Sequence, residues 1–135
     1  MSRVQLALNV SDLDEAVSFY SKLFDAEPAK LRPGYANFAL ADPPLKLVLI
    51  EDPSQAPGSL NHLGVEVAST AEVAAAQARL AAAGLPTMVE EQTACCYAVQ
   101  DKVWTAGPGG EPWEIYTVLA DADVPAASTA SGCCT

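Results

Sequence analysis

The chain states one pattern twice, and that repetition narrows its fold more than any other feature. Val4 to Val10 alternates apolar and polar residues as a strand does, and Leu13, Ala16, Val17, Tyr20, Leu23 and Phe24 then recur at helical spacing. Ser11 followed by Asp14 supplies the acceptor and the acid expected at a helix start. After Pro33-Gly34 come two more apolar runs, Tyr35 to Ala41 and Leu45 to Ile50, separated by Asp42-Pro43-Pro44. The order restarts with a strand from Leu60 to Val67 and a helix opened by Ser69 and Glu72 and stopped by Gly84-Leu85-Pro86. Apolar segments at Thr87 to Val89, Cys96 to Ala106 and Pro112 to Val118 complete the second copy. Two copies of a strand, a helix and several strands predict two modules that bury their faces against each other.

The predicted class is therefore α+β, one domain over residues 1–119 made of modules at about 1–53 and 58–119. Residues 120–135, rich in Ala, Ser, Asp and Pro, lack periodicity and are expected to form a mobile tail. Half of the chain is apolar, enough for a core without staples. A net charge of −10 with only 7 basic residues argues against nucleic acid and anionic membrane surfaces as partners. The N-terminus, MSRVQLALNV, is too brief in its apolar stretch for a signal segment or a spanning helix, which places the expected location in the cytoplasm. The four cysteines form adjacent pairs, Cys95-Cys96 and Cys133-Cys134, unlike a dispersed secreted framework. Paired thiols in a reducing compartment suggest binding of a soft ion.

Superposing the copies makes Gln5 equivalent to His62 and pairs Lys46 with Glu114. All four interrupt apolar strands, and alternation lets them point to one concave face if each module curls its sheet around a cleft. Gln5 offers an amide oxygen, His62 an imidazole and Glu114 a carboxylate; Lys46, a cation, would not join them. Three protein ligands leave coordination positions open. A facial set close to two His and one carboxylate suits non-haem iron, and the absence of thiolates fits iron, manganese, cobalt or nickel better than closed tetrahedral zinc.

Beyond these residues the chain resembles the vicinal oxygen chelate superfamily over about residues 1–119, whose members pair βαβββ modules into a curved mixed sheet around a metal. The stretches GYANFALADPPLKLVLIE, LNHLGVEV, ACCYAVQDKVW and GGEPWEIY are similar to the organoarsenical carbon–arsenic lyases and cadmium-inducible proteins of the ArsI/CadI family. That resemblance implies an Fe(II)-dependent, dioxygen-using enzyme that cleaves methylarsenite or trivalent aromatic arsenicals to arsenite and so confers arsenical resistance. It puts the iron on Gln5, His62 and Glu114 and the substrate on Cys95 and Cys96.

Trivalent arsenic is thiophilic, and a monomethyl arsenical has two positions left for thiolates, so an adjacent pair gives the right donor count. On a regular strand Cys95 and Cys96 would face opposite sides, so joint binding requires irregular backbone, expected in a loop after Glu90-Glu91-Gln92-Thr93 that would act as a lid. Tyr97 and Lys102 are near enough to orient that loop or the oxygen chemistry; an ordinary aromatic and a solvated charge are the plainer readings. The rival function is a non-catalytic thiol protein that sequesters cadmium or arsenite. The sequence leaves open whether one chain makes the cleft or a homodimer exchanges modules.

Overall fold

A computed structural model of the chain describes residues 2–122, without the side chain of Cys95. Cys133, Cys134 and the tail from residue 123 lie outside the described residues. Strand β1 is Arg3–Val10, helix α1 Leu13–Phe24, β2 Lys30–Arg32, β3 Tyr35–Leu40 and β4 Leu45–Glu51. The second module follows with β5 Leu60–Glu66, α2 Thr70–Ala82, β6 Met88–Cys95, β7 Ala98–Ala106 and β8 Pro112–Asp121. The βαβββ order that the resemblance implies is thus present twice.

Local chemistry fixes the helix starts. Ser69 accepts from the Glu72 amide at 3.3 Å while the Glu72 carboxylate reaches back to the Ala68 amide at 2.8 Å, one residue before the cap amide that a reciprocal capping box would use. At α1 the cap is Asp12 instead of Ser11; its carboxylate accepts from the Glu15 amide at 3.1 Å.

All strands join one curled sheet in the order β2-β3-β4-β1-β5-β8-β7-β6. The modules meet where β1 and β5 pair antiparallel, and each inner strand takes the last strand of its own module in parallel, β4 on β1 and β8 on β5. Gln5 pairs with Gly64 and Ala7 with His62. Those crossed pairs are what a two-fold axis between β1 and β5 demands if Gln5 is equivalent to His62. One chain supplies both halves.

Both helices lie on the same side of the sheet, each over its own module. Val10, Leu13, Phe38, Leu47 and Leu49 form the core under α1, and Val73, Leu80 and Val103 that under α2. The alternate residues turn to the other, concave face: Gln5 and Ala7 of β1, Tyr35 and Asn37 of β3, Val48 and Ile50 of β4, His62 and Gly64 of β5, Lys102 and Trp104 of β7, Glu114 and Tyr116 of β8.

Two features depart from the sequence expectations. Strand β2 was not foreseen, because three residues are too few to show alternation. The lid loop expected after Thr93 is instead a hairpin: β6 runs on through Cys95, which pairs with Ala98, leaving Cys96 and Tyr97 as a two-residue turn. Both have positive φ, 49° and 60°, the backbone a primed hairpin turn needs. Neither is glycine, and left-handed backbone at such residues costs of order 1–3 kcal/mol each.

Candidate metal centre

Three strands bring Gln5, His62 and Glu114 together, with 4%, 1% and 2% of their surfaces exposed. Gln5 Nε2 donates to Glu114 Oε2 at 2.7 Å and stands 3.0 Å from His62 Nε2, and His62 Nε2 is 2.8 Å from Glu114 Oε2. The three head groups thus share one point in the interior. Turning the Gln5 amide over places its carbonyl oxygen where the nitrogen now stands.

This triangle fits a metal ion. Bonds of about 2.1 Å meeting at right angles hold neighbouring donors about 3 Å apart, which is the spacing of these three atoms. One imidazole nitrogen, one amide oxygen and one carboxylate oxygen form a mixed set without thiolate, as expected for iron or manganese. Among the described residues no group of three His, Cys, Asp or Glu side chains is placed to hold a metal, so the amide of Gln5 is needed for a third donor.

Lys102 is the residue whose role changed most. It is wholly buried, and its Nζ stands 2.7 Å from Glu114 Oε1, a close ion pair. Its ammonium also lies 5.3 Å from the Trp104 ring centre. Glu114 is thereby divided, with Oε1 toward the cation and Oε2 toward Gln5 and His62. Burial pushes the Glu114 carboxyl up, but Lys102 and His62 outweigh it and hold the pKa at about 2. Trp104 packs edge-on against His62, with centroids 5.5 Å apart, and its indole donates to Glu90 at 3.0 Å.

Lys46 does not stand opposite Glu114 in the repeat, as aligning the sequence copies implied. Ala7 pairs with Val48 as Gly64 pairs with Glu114, so Val48 occupies the equivalent place and Lys46 sits two residues away. Its ammonium is 3.8 Å from Glu66, which also takes Arg3, and burial lowers its pKa. Three candidate donors therefore remain, with an apolar residue at the fourth position.

The Cys96–Tyr97 turn folds onto the same concave face, clustering with Ala7, Tyr35, Val48 and Ile50. Ala7 lies one pleat from Gln5. The Tyr97 hydroxyl donates to the Pro33 carbonyl at 3.1 Å, and its own carbonyl accepts from Lys30 Nζ at 2.8 Å and the Ala122 amide at 3.1 Å. Tyr97 therefore anchors the turn to the first module. Lys30 also pairs with Asp121 at 2.8 Å, so β8 is ordered past the expected boundary at residue 119. Cys96 is disulfide-bonded, and its thiol form requires reduction. A cavity of about 420 Å³ lined by Arg3, Pro44, Glu66 and Thr117 contains none of the site residues.

Gly64 was missed by sequence reasoning. A Cβ there would lie 3.0 Å from Glu114 Cγ and from its carbonyl oxygen, and 3.1 Å from Gln5 Nε2. A side chain there would oblige Glu114 or the Gln5 amide to give by a few tenths of an ångström. Gly64→Ala is expected to weaken metal binding at least tenfold by wedging Gln5 from Glu114, checked by titrating the metal-free protein with Co(II); unchanged affinity would show that the triangle tolerates the displacement.

A family model for the Glyoxalase/Bleomycin resistance protein/Dioxygenase superfamily matches residues 3–115. The chain belongs to that superfamily. Within it, the chain is 62% identical over 135 residues to a trivalent organoarsenical cleaving enzyme of Thermomonospora curvata, covering 100% of this chain and 89% of the relative. It is 68% identical over 123 residues to the cadmium-induced protein CadI of Mycobacterium tuberculosis, covering 91% and 80%. These relatives place it in the ArsI/CadI family. The fold matches a Mn(II)-bound glyoxalase from Novosphingobium aromaticivorans with a TM-score of 0.63 at 19% identity, over 92% of this chain and 42% of that larger one. Among the described residues no helix is long and apolar enough to cross a membrane.

Proposed function

We propose that this protein cleaves the carbon–arsenic bond of trivalent organoarsenicals, such as methylarsenite and trivalent aromatic arsenicals, to arsenite, with Fe(II) as cofactor and dioxygen as co-substrate. The observation that carries the reading is the presence on one concave face of the Gln5–His62–Glu114 triangle and the Cys96–Tyr97 turn. The identity to an organoarsenical cleaving enzyme supports the substrate class.

Iron held by Gln5, His62 and Glu114 would supply dioxygen activation through the positions that three protein ligands leave open. The chain's own residues do the rest. Reduced Cys95 and Cys96 bind the arsenic as thiolates and release their protons on doing so, as thiols do when they take metals. The left-handed backbone at Cys96 breaks the strand alternation that would send two neighbouring side chains apart. Lys102 keeps Glu114 ionised and turned, and the packed ring of Trp104 excludes water beside His62. The triangle is buried, so the turn has to swing away from Tyr35 and Pro33 to load the arsenical and then reclose, which positions the substrate and dries the site.

The identity to CadI favours one rival, a thiol protein that sequesters cadmium or arsenite without turnover. The two part in a single experiment. Reduced protein is loaded anaerobically with Fe(II), given methylarsenite and then oxygen, and arsenite is followed. Release that depends on both iron and oxygen is expected; bound iron without release would sink the lyase and leave sequestration.

A further inference from the structure

The metal-facing edge of His62 is set by its other nitrogen. His62 Nδ1 lies 2.7 Å from the carbonyl oxygen of Asn61, its own neighbour in sequence. In a regular strand those two side chains would point to opposite faces. Here the register slips: Ala7 pairs with His62 and Leu8 with Leu60, leaving Asn61 as the extra residue of a β-bulge. Bulges re-aim side chains, and this one turns the Asn61 amide onto the imidazole.

The contacts continue in one direction. Asn61 Nδ2 donates to Asn9 Oδ1 at 3.0 Å, and Asn9 Nδ2 donates to the Ser59 hydroxyl at 3.1 Å. Asn9 is buried, at 3% exposure, on the same face of β1 as Gln5 and Ala7. With both amides committed as donors on their outer side, the group that Asn61 turns to His62 is its carbonyl oxygen, which only accepts. The ring proton then belongs on Nδ1. Nε2 is then the nitrogen left for a metal ion, on the side of Gln5 and Glu114.

We propose that Asn61 and Asn9 are positioning residues, an amide relay that holds His62 in the tautomer able to bind metal through Nε2. The inference rests on the metal-site reading above and adds to it the source of the histidine's orientation. Partners of this kind on metal-bound histidines fix the tautomer and raise ligand basicity, and losing one typically weakens metal binding by about 10–100-fold.

The sequence makes the test direct, because His62 is the only histidine. In ¹⁵N-labelled protein loaded with diamagnetic Zn(II), its nitrogen spectrum is expected to show the proton on Nδ1 and the metal on Nε2; a proton on Nε2 overturns the proposal whatever the variants do. Co(II) titrations of Asn61→Leu and Asn61→Asp then separate orientation from packing. Asn61→Leu keeps the volume and loses the acceptor, so Co(II) affinity should fall by about 10–100-fold. Asn61→Asp keeps an acceptor at Nδ1, to which Asn9 donates once its amide turns, and should recover most of that loss. Wild-type affinity in Asn61→Leu, or equal losses in the two variants, refutes the relay. Wild-type protein that binds neither Co(II) nor Zn(II) refutes the metal site, and the relay's role with it.

Discussion

Replacing Glu114 with alanine is expected to abolish metal binding and to destabilise the metal-free protein by roughly 3–5 kcal/mol, because it takes away the carboxylate that faces the wholly buried Lys102 ammonium. For a domain of this size that corresponds to a fall in Tm on the order of 10–20 °C. Lys102→Met should be costly for the mirror reason, leaving the carboxylate buried without its cation, yet it retains all three ligands. Combining the substitutions removes both charges, so the double variant should lose clearly less stability than the sum of the singles. Additive losses, measured by thermal and denaturant unfolding, would mean the pair does not interact as its 2.7 Å separation implies. A pH signature accompanies this. Because the folded-state carboxyl titrates at about 2 against an ordinary 4.5, its contribution is fully present above pH 4.5 and drains away as pH falls toward 2. In Lys102→Met the folded-state pKa rises, because burial then acts without its main opposition, so this acid-side loss should shrink or reverse.

What was readable in the sequence, and what was not, follows from which forces leave a linear trace. Alternation and helical spacing are local, so the two modules and the helix cap at Ser69 were visible. The equivalence of Gln5 and His62 was also visible, because a two-fold repeat copies position as well as shape. Register was not. The sequence alignment set Lys46 against Glu114, whereas strand pairing sets Val48 there, and nothing in a run of alternating apolar residues marks a two-residue slide. Lys102 read either as a group orienting the loop or the oxygen chemistry or as a solvated charge; its pairing with Glu114 depends on a carboxylate arriving from another strand. The bulge at Asn61 and the steric need for Gly64 are likewise set by the neighbouring strand. Asn61-His62 and Gly64 sit side by side in LNHLGVEV, so a signal was present: a polar pair and a glycine where a buried strand should carry branched apolar residues.

Cys96→Ser separates the thiols from the metal in the proposed reaction. The hydroxyl of serine fits the turn but is not a soft donor, so under reducing conditions the variant is expected to lose arsenical affinity by at least a hundredfold, measured by titration with methylarsenite, while Co(II) affinity stays at the wild-type level. The expectation of an intact metal site follows from placement: Cys96 lies in the apolar cluster of Ala7, Tyr35 and Val48, and serine keeps its size there. A loss of both affinities would instead tie the turn to the integrity of the site. Retained arsenical affinity would remove Cys96 from substrate binding. The wild-type protein supplies its own control, because Cys96 is disulfide-bonded in the structure. Oxidised wild-type protein should therefore behave as the serine variant does, and adding reductant should restore methylarsenite binding to the wild type alone. A variant that responded equally to reductant would show that another thiol carries the arsenical.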